Sequence, residues 1–312
     1  MKVDVIIPLY KPGKELFTLL DLLESQTMSV NQIILMNTEE KYFEQLVYGT
    51  EFVHRYDNVK VFHLSKREFD HGATRRLGVS KSQADVFVMM TQDAVPQDEK
   101  LLENLVAGLE GKAAVSYARQ LAGADSSVLE QFSRQFNYPA QSVVKSHEDL
   151  ERLGIKTYFC SNVCAAYRRD IYDELGGFVK KTIFNEDMLY AAKAVNAGYS
   201  VAYRADARVI HSHNYTCMQQ FHRNFDLGVS QAKHPEVFGA VRSESEGMRM
   251  VKAATTYLRE NRMRRKIPYF YMQCAYKYAG YLLGKHYRRL PGRVVLFCTS
   301  NREYWLRKQE QN

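Results

Sequence analysis

Three aspartates and two histidines in this 312-residue chain stand where a reaction could use them. Asp93 follows the unbroken apolar run Val86 to Met90 and precedes Pro96, so a carboxylate lies just past the carboxyl end of a strand buried on both faces. That edge of an open α/β sheet is where ligands bind, and a carboxylate there can hold a divalent cation that in turn holds a diphosphate. A turn cap ahead of the next helix would use the same residue equally well. Asp187 comes after Asn185 and Glu186, at the head of the helical pattern Met188 to Ala197. It could take a proton from a hydroxyl. It could equally begin the helix, where acidic residues favour the dipole, and on these residues alone the helix start is the stronger reading. His211 and His213 are two apart, which on a strand points both rings to one face. Neutral imidazoles there could complete a metal site that a single carboxylate leaves open, or be ordinary strand-end histidines, which the spacing alone favours. Asp70-His71-Gly72 and Asn37-Thr38 add polar groups at strand ends, while Arg75-Arg76 could meet phosphate or lie in a solvated turn.

The elements that must position these groups alternate. Strands are expected over Lys2–Leu9, Gln32–Met36, Val59–Leu64 and Val86–Met90, and helices over Glu15–Gln26, Lys41–Arg55 and from the Asp70 segment through Ser82. Strand-helix-strand alternation is the pattern of a doubly wound, mostly parallel sheet flanked by helices, whose strand ends converge on one edge. Asn37-Thr38, Asp70, Asp93 and Asp187 could therefore share one crevice. Further on, a helix is expected at Glu99–Leu109 and a strand at Ala113–Tyr117. A long, partly helical excursion then runs to about residue 157, the kind of segment that tends to be functional. A strand over Tyr158–Tyr167, a helix over Arg169–Leu175, short strands at Val201–Tyr203 and Arg208–Ile210 and a helix over Gln219–Gly228 complete this part. Near residue 235 the character changes to helices rich in Arg, Lys and Tyr, which divides the chain into residues 1–235 and a basic helical extension, 236–312.

Charge follows the same division. From Val241 to Asn312 there are 16 Lys and Arg against 5 Asp and Glu, a net of +11, whereas the first 240 residues hold 27 against 30, a net of −3. A basic tail on a faintly acidic body suggests a surface for an anionic partner. Anionic lipid is favoured, with Tyr269, Phe270, Tyr271, Tyr278 and Tyr281 at the interface, over nucleic acid, for which no motif is present, and over a plain solvated helical surface. No stretch reaches the ~20 apolar residues of a membrane span. The first strand follows Met1 with no leader pattern, and five scattered cysteines suit a reduced thiol population. Together these read as a cytoplasmic protein, peripheral at the inner face of the plasma membrane.

Several segments, taken in order, resemble the family 2 glycosyltransferases of the GT-A fold, and within them the bacterial rhamnosyltransferase-like branch. They are Val5-Ile6-Ile7-Pro8-Leu9-Tyr10, Phe69-Asp70-His71-Gly72-Ala73-Thr74-Arg75, Thr91-Gln92-Asp93-Ala94, Tyr117-Ala118-Arg119-Gln120, Phe159 through Arg169, Gly176-Gly177-Phe178, Asn185-Glu186-Asp187 and Ala197-Gly198-Tyr199. The resemblance covers about residues 1–230. It implies a metal-dependent enzyme that moves a sugar with inversion from a nucleotide donor, most simply dTDP-rhamnose, to a hydroxyl of a polysaccharide or lipid-linked saccharide. The same chemistry with a UDP-hexose or UDP-N-acetylhexosamine donor, and a non-catalytic nucleotide-sugar-binding subunit of a polysaccharide assembly complex, are the alternatives. On this resemblance Pro8, Tyr10, Thr38, Asp70 and Gln92 would border the nucleotide and Arg75 would approach the diphosphate. Asp93 with His211 or His213 would hold Mg²⁺ or Mn²⁺, Asp187 would be the base, and Arg119, Asn162 and Glu186 would face the sugar or acceptor. The metal motif here has one carboxylate where the full D-x-D form has two. Asn37-Thr38 stands where many relatives carry an aspartate.

Overall fold

A nine-stranded mixed sheet organises the first of two compact units in the chain, for which a computed structural model describes residues 1–239 and 244–310. Residues 240–243 and 311–312, part of the expected basic extension, lie outside the described residues. The strands are β1 (Val3–Tyr10), β2 (Gln32–Thr38), β3 (Val59–Leu64), β4 (Val86–Met90), β5 (Val95–Pro96), β6 (Ala113–Leu121), β7 (Val143–Lys145), β8 (Cys164–Arg168) and β9 (Ser200–Ile210). Their order is β3-β2-β1-β4-β8-β6-β9-β5, with β7 paired to β9. The β3-β2-β1-β4 portion is parallel, as alternation with helices requires. β8 then runs antiparallel between β4 and β6, and β6 is parallel to β9. Because β8 is reversed, its amino end meets the carboxyl ends of β1, β2, β4, β6 and β9.

The core explains why these segments became strands. Every side chain of β4 is buried, as are Val5, Ile7 and Leu9 of β1. The helix Glu15–Glu24 lays Leu16, Leu19, Leu20 and Leu23 on that layer, and each buried leucine contributes about 1.5–3 kcal/mol of transfer free energy. Helix His71–Lys81 starts where Asp70 caps it, its carboxylate accepting from the Gly72 and Ala73 amides at 2.9 and 3.0 Å.

Three expectations change. The helix expected over Lys41–Arg55 is two helices, Glu40–Val47 and Phe52–Arg55, with Gly49 at a φ of +72° between them. The strand expected from Tyr158 begins only at Cys164, after a tight helical turn over Gly154–Tyr158. The two short strands near residue 205 are one strand, β9. Its register against β6 jumps from Ala118↔Arg204 to Arg119↔Arg208, and an Arg204–Asp206 ion pair fills the irregularity.

The second unit comprises Ala122–Asn137, Thr182–Asn185 and Ser212–Asn312. It is helical: Val128–Asn137, Cys217–Lys233, Pro235–Phe238, Glu244–Glu260, Ile267–Lys285, Gly292–Cys298 and Arg302–Glu310. Helix Cys217–Lys233 therefore packs with the C-terminal helices. Phe225 and Val229 join Tyr287, Val295 and Trp305 in one apolar cluster, and Phe270 joins Ala254 and Leu258 in another.

Candidate functional site

Strand direction brings the polar ends together. Tyr10 ends β1, Thr38 ends β2, Asp93 follows β4, Gln120 lies near the end of β6, His211 follows β9 and Asn162 precedes the reversed β8. All six lie along one edge, and the strand order turns outward on either side of β1 and β4, the arrangement that opens a ligand crevice. Gln92 spans this point. Its Nε2 donates to the Tyr10 carbonyl at 3.2 Å and its Oε1 accepts from the Tyr10 amide at 2.9 Å, so a side-chain amide extends the β1–β4 pairing past the last backbone bond.

Asp187 is built into a network at the head of helix Glu186–Asn196. One carboxylate oxygen accepts from the Asn162 backbone amide at 3.0 Å and the other from the Met188 amide at 2.8 Å. Asn162 also donates from its side chain to Glu186 at 3.1 Å and accepts from the Tyr167 hydroxyl at 2.7 Å. One asparagine thus holds both carboxylates. Glu186 is buried and pairs with the buried Arg75 guanidinium, Nε to Oε1 at 3.2 Å. Burial pushes the Glu186 carboxyl up, but Arg75, His71 and the Asn162 hydrogen bond together outweigh it and hold Glu186 below the ordinary value. Glu186 therefore stays ionised beside Asp187. Burial first, and that neighbouring negative charge second, push the Asp187 carboxyl up to about 7, against the two amides and Arg75, which pull it down. A carboxylate poised near neutrality and held by two backbone amides is suited to taking a proton from a weakly acidic hydroxyl.

Asp93 and His211 form a second pair. His211 Nε2 lies 3.5 Å from Asp93 Oδ1; the histidine is buried and the carboxylate is 44% exposed. Gln120 sets the imidazole. Its Nε2 donates to Tyr138 and Ser161 hydroxyls at 2.6 and 2.9 Å, which leaves its Oε1 to face His211 Nδ1 at 2.9 Å. With Nδ1 carrying a proton for Gln120, a neutral imidazole turns its Nε2 lone pair towards the Asp93 carboxylate. A lone pair and an anion facing each other suit a shared cation, so the residues present fit a divalent ion. Asp93 and His211, both of the first unit, are described residues that could hold one. His213 follows His211 by two residues and belongs to the second unit, its ring 4.7 Å from that of Tyr215.

The remaining expected residues sit as follows. Thr38 is buried, and its hydroxyl has no hydrogen-bond partner among the described residues. Pro8 is half-buried within β1, and Tyr10 is 41% exposed with its ring edge-on to Tyr42 at 5.9 Å. Asp70 caps its helix through one carboxylate oxygen, and Arg75 pairs with Glu186. Arg119 donates from Nε to the Tyr138 carbonyl at 3.1 Å. Sequence reasoning gave no role to Gln120, Tyr167 or Tyr42. Gln120 had a signal, a polar residue at the buried end of a strand; Tyr167 reads as an ordinary core aromatic, and Tyr42 as a surface residue.

Known proteins resemble this chain in sequence and in fold. Residues 4–176 match the model of Glycosyl transferase family 2. An O-antigen chain rhamnosyltransferase, RfbN, of Salmonella typhimurium is 39% identical over 98% of this chain and 96% of its own length. A second, WbaN of Salmonella anatum, is 36% identical over 96% and 95%. A mannosyltransferase from Pyrobaculum calidifontis, solved with GDP-mannose and Mn²⁺, superposes with a TM-score of 0.59 at 13% identity, covering 91% of this chain and 87% of that one. TarS from S. aureus, solved with UDP-GlcNAc, does so at 0.53 and 14%, covering 93% and 92%. At such identities these two structures bear on the fold alone, which is the expected GT-A arrangement.

Proposed function

The chain belongs to glycosyl transferase family 2 and is a rhamnosyltransferase-like glycosyltransferase, and from that premise we propose that it transfers rhamnose from dTDP-rhamnose, with inversion, to a saccharide hydroxyl of an O-antigen chain or its lipid-linked precursor. Residues 1–235 would form the transferase domain. The observation that carries the mechanism is Asp187, a half-buried carboxylate with its affinity for protons raised and both oxygens fixed by backbone amides. In this reading Asp187 takes the proton of the acceptor hydroxyl as that oxygen attacks the anomeric carbon. The bond from the anomeric carbon to the diphosphate breaks on the opposite face, and the nucleoside diphosphate leaves with the electron pair. Attack opposite the leaving group inverts the configuration.

Asp93 and His211 would hold Mg²⁺ or Mn²⁺, which would supply positive charge against the leaving diphosphate. Gln120 keeps His211 in the tautomer that leaves Nε2 available for this. Tyr10, Thr38, Gln92 and Pro8 would border the nucleotide, with the unpartnered Thr38 hydroxyl as a ready contact. The Asn162 amide holds the base, the charge of Glu186 raises its affinity for protons, and Arg119 would stand toward the sugar or acceptor. The basic region 236–312 would bring the enzyme to the anionic cytoplasmic face of the membrane, where a lipid-linked acceptor would lie. The length of the match to two rhamnosyltransferases favours rhamnose over the UDP-sugar donors.

A donor screen tests this reading. The full chain is melted with dTDP-rhamnose, UDP-hexoses, UDP-N-acetylhexosamines and GDP-mannose, each with Mn²⁺ and with EDTA, because a bound ligand raises the midpoint. dTDP-rhamnose with Mn²⁺ is expected to give the largest rise, lost in EDTA. A larger rise with a UDP-sugar would overturn the donor, and an equal rise in EDTA would overturn the role of Asp93 and His211.

A further inference from the structure

Helix Ile267–Lys285 of the second unit has two unlike sides. Its inner side is fixed backbone to backbone against Cys217–Lys233: a Cβ at Gly280 would lie 2.2 Å from the Phe221 carbonyl oxygen, and one at Gly284 2.1 Å from that of Phe225. Its outer side carries Tyr269, Tyr271, Met272, Tyr276 and Tyr278, between 37% and 55% exposed. The other exposed residues of the helix are Pro268, Ala275 and Ala279, so this side bears no charge. At 100° and 1.5 Å per residue these positions cover about half the helix circumference over about 17 Å of length. A helix side turned to water is ordinarily rich in charged residues, and an uncharged tyrosine side is suited to a boundary between water and an apolar phase.

The charges stand at the ends. Arg262, Arg264, Arg265 and Lys266 precede the helix and Arg288, Arg289 and Arg293 follow it; all are exposed, and none pairs with a carboxylate among the described residues. From Asn261 to Arg302 the sequence holds ten Lys and Arg and no Asp or Glu. Arg259, Arg262, Met263, Arg264, Arg265 and Lys266 line a hollow of about 410 Å³, large enough for a phosphate headgroup. No described helix is long and apolar enough to cross a membrane, so this one would lie on a bilayer.

We propose that the tyrosine side of helix Ile267–Lys285, with the cation clusters at its two ends, docks flat on an anionic phospholipid surface. The rings sit at headgroup depth and the guanidinium groups meet lipid phosphates. This deepens the membrane reading of the basic region and rests on it, but not on the identity of the donor. It makes cation removal and tyrosine removal separable, because the first acts through charge and the second through insertion.

Flotation of the full chain with phosphatidylcholine vesicles, with and without phosphatidylglycerol, tests it. Wild type is expected to float with the phosphatidylglycerol vesicles at least about tenfold more tightly than with phosphatidylcholine alone, and to be released as NaCl rises from about 0.1 to about 0.5 M. The variant R262Q/R264Q/R265Q/K266Q and the variant Y269S/Y276S/Y278S, which spares Tyr271 because its hydroxyl lies 3.2 Å from that of Thr255, should each bind about tenfold or more weakly, with melting midpoints and the dTDP-rhamnose thermal shift unchanged. Binding by either variant equal to wild type would overturn the proposal. So would wild type that ignores phosphatidylglycerol vesicles, or a tyrosine side that instead mediates self-association, seen as a mass in light scattering that halves in the tyrosine variant. A failed donor screen with intact vesicle binding would remove the donor assignment and leave this surface standing.

Discussion

Asp187 gains its chemistry from neighbours that the chain supplies from distant segments. Arg75, on the helix His71–Lys81, keeps Glu186 ionised, and ionised Glu186 with burial raises Asp187 to about 7. The raised value has two consequences of fixed sign. As a base, Asp187 works only when ionised, so transfer should rise with pH on an acid limb near 7, and Asp187→Asn should lose about 10²–10⁴-fold in kcat. For stability, the folded state holds this proton more tightly than the unfolded chain. Its contribution is present at acid pH and is lost as pH rises through about 7. The wild-type midpoint should therefore fall more between pH 4 and pH 8 than that of Asp187→Asn, in which this group does not titrate; an equal fall in both would contradict the account of the site. In the sequence, Asp187 was legible as a base only through the order of motifs around it, because an acidic residue in a first helical turn has a sufficient local reason to be there. Arg75 was legible as a functional arginine but not as the partner of Glu186, since that pairing exists only after the helix packs.

At the scale of elements, the reversed strand β8 matters most. It delivers Asn162 to the same edge as Asp93 and His211, and its reversal was not readable from local pattern, which distinguishes strands but not their direction. Two strands were legible to the residue: Val86–Met90 by its unbroken apolar run, and Val59–Leu64, where Lys60 and His63 interrupt the apolar residues, by its place in the alternation with helices. The helix pair of the second unit was only partly legible. Its partners, Cys217–Lys233 and Ile267–Lys285, meet through glycines whose role appears only when the backbones touch. Gly284→Ala places a methyl group against the Phe225 carbonyl with no flexible side chain to yield. Overpacking of this kind costs about 1–3 kcal/mol, so urea unfolding should show a lower midpoint with an unchanged slope. An unchanged midpoint would mean that the two helices are not in backbone contact.

For the molecule as a whole, two units of different character share one chain. The sheet unit holds Asp187, Asp93 and His211, and the helical unit carries the net positive charge, with 19 Lys and Arg against 9 Asp and Glu. That asymmetry was plain from composition. The way the second unit is assembled was not, because it gathers Ala122–Asn137 and Thr182–Asn185 from inside the first 235 residues as well as the tail. An interruption of this kind leaves no mark in local composition. The central claim is that this chain passes rhamnose to a saccharide by one in-line displacement with Asp187 as base. Proton NMR of the product tests it most directly, with dTDP-rhamnose as donor, a lipid-linked saccharide as acceptor and Mn²⁺ present. The account predicts a new rhamnosyl linkage whose anomeric configuration is opposite to that in the donor. A product with the donor's configuration retained would contradict it.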